Sequence, residues 1–148
     1  MQEIFNQIFK NKIFMTTLTA WLIAQSIKVA IGIIRLKRFD FRWFVGTGGM
    51  PSSHAAGASC LAAAMGLEYG FSSAYFALAA AFAIVVMFDA QGVRRATGRQ
   101  ARILNKITDD IYWQGRLGEG RLRELVGHTP VEVIAGFLLG VLIAFIAH

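Results

Sequence analysis

At 148 residues the chain is sized for one domain, 1–148. Its 55% hydrophobic content against 16% charged residues exceeds what soluble domains carry, which excludes an ordinary soluble enzyme and predicts an integral membrane protein. A formal charge of +6 does not point to nucleic acid, because the bases lie between apolar runs with no recognition motif, and the single cysteine, Cys60, excludes an intrachain disulfide and a cysteine-based metal site.

Lys10 and Lys12 precede an apolar stretch too long for a signal-peptide core, so the first element is read as a retained membrane helix. Ile13 to Ile34 is broken only by Gln25, Ser26 and Lys28, and roughly 20 such residues span the hydrocarbon. A basic stretch to Phe44 follows, carrying Arg35, Lys37, Arg38 and Arg42, with Trp43 as an interface anchor.

Gly48 to His54, GGMPSSH, then reads as a tight turn feeding a helix N-terminus, where backbone N–H groups and the dipole favour an anion. The helix it opens, Ser53 to about Leu67, is built of Ala, Gly and Ser and suits packing against protein rather than lipid. Gly66 to Gly70 supplies the return. Ser72 or Ser73 caps the next helix, which runs to Phe88.

Asp89 to Pro130 is the one long polar segment, with eight basic residues. Ile103, Leu104, Ile107 and Ile111 recur within it at helical spacing, with Trp113 nearby, which fits a short amphipathic helix on the membrane surface or a solvated connector. Val131 to Ala147 is the last span, opened by Gly127-His128-Thr129-Pro130. Its Gly136 and Gly140 have the spacing of a close helix contact. The expected fold is an all-α membrane bundle of about four transmembrane helices.

With four crossings, Arg35, His54, Asp89, Arg94, Arg95 and His128 emerge on one face. Twelve of the fifteen Lys and Arg residues lie in the two connections on that face, and the opposite connection has Glu68 and no base. The positive-inside rule makes the site face cytoplasmic.

Two histidines behind Gly/Pro turns beside a basic cluster could supply the nucleophile, the acid and the fixed charge that phosphate-ester hydrolysis needs. The chain resembles the divergent type 2 phosphatidic acid phosphatase family through GGMPSSHAA, DAQGVRRATGRQA followed by LN, and GHTPVEVIAG. The wider superfamily also holds acid phosphatases and vanadium-dependent haloperoxidases. Lys28 and Arg35 keep its first motif's spacing, with Leu36 in place of the proline. Pro51-Ser52-Ser53-His54 is similar to its second, with Ser53 in place of glycine, and His128 and Glu132 keep the third motif's histidine-to-carboxylate spacing. That motif's Ser-Arg pair is missing: Leu122 stands six residues before His128, and Arg121, Arg123, Arg94 or Arg95 is left to replace the arginine.

The resemblance implies His128 as the nucleophile of a phosphohistidine, Glu132 as its orienting partner and His54 as the acid. It makes Lys28, Arg35, Ser52, Ser53, Arg94 and Arg95 phosphate-binding residues. Each has a plainer reading: Lys28 snorkelling, Arg35 at a span boundary, Ser52 as a cap, Asp89 pairing with Arg94 or Arg95. The implied protein is a lipid phosphate phosphatase of the bacterial inner membrane. Its substrate would be phosphatidylglycerophosphate first, then phosphatidic acid or a polyprenyl diphosphate. It needs no cofactor, although Asp89, Glu132 and the histidines could hold a divalent cation. The partner is membrane phospholipid, and small-residue helix faces allow a homo-oligomer. The alternative is a non-catalytic lipid-phosphate-binding protein or assembly factor.

Overall fold

The structure, a computed structural model, describes residues 1–37 (backbone alone at 35 and 36), 49–91, 100, 103–105 and 128–148. Five helices have defined bounds there: α1 Gln2–Lys10, α2 Lys12–Leu36, α3 Ser53–Tyr69, α4 Ala74–Gln91 and α5 Pro130–Ala147. No strand occurs among the described residues, as the long apolar runs require.

α2, α4 and α5 are each long and apolar enough to cross a membrane. Their exposed Leu22, Leu78, Phe82, Leu138 and Leu142 are the surface that lipid would cover. α3 differs. Eleven of its seventeen residues are buried, and α2, α4 and α5 all pack against it. The reason is its composition: Ala, Gly and Ser bring backbones close, which is how helices associate where no hydrophobic drive separates protein from lipid. At seventeen residues α3 is about 25 Å long, short of the hydrocarbon thickness. It is the fourth helix expected from the sequence; among the described residues three helices meet the length of a span.

Neighbouring residues fix the helix directions. At one end Ala55, Ala90 and Val133 form a cluster; at the other Ile13, Cys60, Ala63, Ala64 and Ala144 do, and His148 sits 3.4 Å from Glu68. α3 and α5 therefore run parallel, with α2 and α4 antiparallel to both. The end of α4 meets the beginnings of α3 and α5.

Two helix ends depart from the sequence reading, while the return between α3 and α4 keeps to it. α3 runs two residues beyond the expected end near Leu67, to Tyr69, and the missing side chain of Gly66 makes room for the Phe71 ring. The return is Gly70 at φ +87°, after which Ser73 Oγ accepts the amide of Phe76 at 3.2 Å and starts α4. α4 runs on past Phe88, so Asp89 is an exposed helical residue rather than the first residue of a connection.

α1 was not anticipated. Ile4, Phe5, Ile8 and Phe9 are exposed along one side of it, directly ahead of a membrane span, which is the pattern of a helix lying in the interface. Tyr69, Phe71 and Tyr75 are also exposed at that end of the bundle, where an aromatic belt belongs. Of the expected amphipathic surface helix, Ile103–Asn105 is helical with Ile103 and Leu104 exposed; Ile107, Ile111 and Trp113 lie outside the described residues.

Candidate functional site

The PSSH turn and the HTP turn meet because backbone bonds stitch them together. Ser52 N donates to the Glu132 carbonyl at 2.9 Å, and His128 N donates to the Ala90 carbonyl at 3.1 Å. Three helix ends are joined in this way. The glycines of α5 complete the fit: a Cβ on Gly136 would collide with the Ser52 carbonyl, and one on Gly140 with the Ala56 carbonyl and Ser59 Oγ. Ser59 Oγ uses that closeness to donate to the Phe137 carbonyl at 3.1 Å. The Gly-x-x-x-Gly spacing is thus a close helix contact, and it presses α5 against the start of α3.

The result brings His54 and His128 together, with ring centroids 6.3 Å apart and planes inclined at 61°. His128 is 1% exposed and Glu132 21%. His128 Nδ1 lies 3.0 Å from Glu132 Oε2. A carboxylate only accepts, so Nδ1 carries the proton, and in the neutral ring the lone pair is on Nε2. His54, on the first turn of α3, is half-buried. One residue at this site is solvent-reachable and the other shielded, an asymmetry suited to different roles.

Glu132 has a second duty that the sequence reading missed. Its Oε2 accepts the amide of Thr129 at 3.0 Å while Thr129 Oγ1 accepts the amide of Glu132 at 3.4 Å, a capping box. The signal was present as Thr-Pro-Val-Glu ahead of an apolar run. The cap fixes the position of the carboxylate.

Ser52 is fully buried, and its Oγ accepts the amide of Ala55 at 3.3 Å as the N-cap of α3; Ser53 is buried beside it. Lys28 is buried too, with Nζ donating to Gln25 Oε1 at 3.0 Å. It does not simply snorkel. A Cβ on Gly49 would stand 3.2 Å from Lys28 Cγ, so the turn before His54 folds down onto the lysine stem. Gly49 needs φ +87°, which glycine adopts without strain. A charged group at this depth is expensive and is retained where it meets an anion or a proton path.

Arg35 belongs to the last turn of α2, and its side chain lies outside the description. Arg94, Arg95, Arg121 and Arg123 also lie outside the described residues. Among the described residues no three His, Cys, Asp or Glu side chains gather as a metal-holding group, so Asp89 does not join Glu132 and the histidines.

A model of the divergent PAP2 family matches residues 9–143. Among curated proteins, the "Uncharacterized membrane protein YuiD" of Bacillus subtilis (strain 168) is 37% identical over 151 residues, covering 95% of this chain and 96% of that one. No solved structure matches the chain.

Proposed function

The chain belongs to the divergent PAP2 family, and from that premise we propose that it hydrolyses the phosphate ester of a membrane lipid. The observation that carries this is the pair of histidines 6.3 Å apart at one end of the bundle, one of them fixed by a carboxylate.

In this reading His128 Nε2 attacks phosphorus while His54 gives its proton to the departing alkoxide oxygen. A water then attacks the phosphohistidine, His54 takes that water's proton, and inorganic phosphate leaves with His128 regenerated. Glu132 stabilises the charge that His128 acquires. The amides opening α3 and the Lys28 charge beside Gly49 hold the phosphoryl oxygens, with Arg35, Arg94 and Arg95 as further cations. Ser52 accepts from Ala55 and so retains a hydroxyl proton to donate; Ser53 lines the same turn.

Phosphatidylglycerophosphate is the favoured substrate, because its terminal monoester projects into the headgroup layer where helix ends can reach it. Phosphatidic acid sits deeper and ranks second, and polyprenyl diphosphate third. Purified protein should release inorganic phosphate from at least one of these, and His128→Ala should not. Retained binding of the lipid phosphates without release would instead favour a binding protein, the reading that the missing Ser-Arg pair supports.

The capping box separates two duties. Thr129→Ala removes the cap hydroxyl and should lower stability by about 1 kcal/mol while sparing turnover. Glu132→Gln keeps an acceptor but loses the charge, and should lower turnover by up to about a hundredfold with little change in melting. Equal turnover in wild type and Glu132→Gln would reduce the carboxylate to a cap.

In this reading the site faces the cytoplasmic leaflet of a bacterial inner membrane, a placement that the excess of Lys and Arg in the two site-side connections supports. Cys60 is fully buried and serves as a silent background. Ser72→Cys, at the far end of the bundle, should react in intact cells with an impermeant thiol reagent, and Arg99→Cys should not. The reverse pattern would put the site outside.

A further inference from the structure

α3 separates α4 from most of α5, and the seam between those two helices holds a groove of about 290 Å³. It runs from Gln91 and Val133 at the site end to Ile84, about 10 Å deeper along α4, and Phe137, about 6 Å deeper along α5. Met87 also lines it, and its rims are Phe88, 74% exposed, and Ile134, 57% exposed, on two membrane-spanning helices. The groove therefore opens sideways toward lipid. Among its lining residues only Gln91 is polar, and it stands at the head.

The head of the groove adjoins the histidine site. Val133 is only 3% exposed and packs in one cluster with Ala55 and Ala90. Ala55 follows His54, Val133 follows Glu132, and the Ala90 carbonyl accepts the amide of His128. An apolar ligand lying in the groove would end beside the turns that carry the two histidines.

We propose that the α4–α5 groove binds a hydrocarbon chain of the substrate lipid, so that the phosphate ester is delivered to His54 and His128 from within the bilayer. This rests on the lipid-phosphate reading above and adds a recognition element to it. The volume suits a segment of chain and is at the low end for small-molecule pockets, so a headgroup would not share it. Selectivity then follows from both ends of the molecule: the phosphate selects at the histidines, and the chain selects in the seam.

The test uses the full chain in nanodiscs with a non-hydrolysable lipid phosphonate bearing a photoactivatable group in its acyl chain. Labelling should map to Ile84 and Phe137, and excess unlabelled phosphonate should suppress it. Equal labelling by a phosphatidylcholine carrying the same chain would make the groove an ordinary lipid contact and overturn the proposal. In a second arm, Ile84→Trp and Ile134→Trp narrow the groove. Loss of contact with two methylenes should lower kcat/KM for a long-chain phosphate about tenfold more than for a water-soluble short-chain phosphate. Equal losses on both would overturn it. Headgroup-dependent labelling by a wild-type chain that releases no phosphate would keep the groove and sink the hydrolase reading.

Discussion

His128→Ala should reduce phosphate release by about 10⁴-fold or more, because it removes the atom to which the phosphoryl group is transferred. The fold should survive. The His128 amide bond to Ala90 is made by the backbone, and the Thr129–Glu132 cap does not use the imidazole. What is lost in stability is one buried ring and its bond to Glu132, the scale of an ordinary core truncation, about 2–4 kcal/mol. His54→Ala should be less severe and worst on substrates with poor leaving groups, since it removes a proton donor and not the nucleophile. The two losses should not add. With rings 6.3 Å apart and one reaction between them, the double variant should be no slower than His128→Ala alone. Steady-state phosphate release on the three proteins, normalised to folded protein, decides this. Full activity in His128→Ala would remove it as nucleophile, and multiplicative losses would mean that the two histidines act independently.

How far the sequence carried this site depends on which physical signal each residue left behind. The convergence of His54 and His128 was legible because it needs only helix parity: both follow Gly/Pro turns at helix starts that crossings place at the same end. Ser52 as a cap and Gly136 with Gly140 as a contact were legible for the same local reasons. Lys28 was ambiguous, because nothing in the sequence says that Gly49, twenty-one residues later, folds against its stem. The end of α3 was placed two residues short because a glycine that makes room for a ring of the following turn, Gly66 under Phe71, looks identical to a glycine that ends a helix. α1 was readable in Ile4, Phe5, Ile8 and Phe9 but was eclipsed by the longer apolar run behind it. The four arginines that could stand in for the missing third-motif residue all lie outside the described residues, and spacing alone does not choose among them.

Gly136→Ala and Gly140→Ala should both destabilise the protein, against the usual rule. An alanine in a helix interior is favoured over glycine by about 1 kcal/mol, so propensity alone predicts a gain. Here the new methyl would enter the Ser52 carbonyl in one case, and the Ala56 carbonyl and Ser59 Oγ in the other. Backbone carbonyls inside a helix cannot rotate away, so α5 must move off α3. Overpacking of this kind costs about 1–3 kcal/mol and outweighs the propensity gain. Gly136→Ala should also damage activity beyond its effect on folding, because Ser52 and Ala55, its two neighbours, flank the turn that carries His54. It would also strain the 2.9 Å bond from Ser52 to Glu132. Gly140 lies one turn deeper, so its loss should track stability alone. Gly57→Ala is the control. It is equally buried in α3, but its added methyl would meet Trp21 at 3.8 Å, an ordinary contact, so that variant should keep or raise the melting temperature. Melting in detergent together with phosphate release on all three variants tests the set, and three equal melting shifts would mean that helix propensity, not the α3–α5 contact, governs these positions.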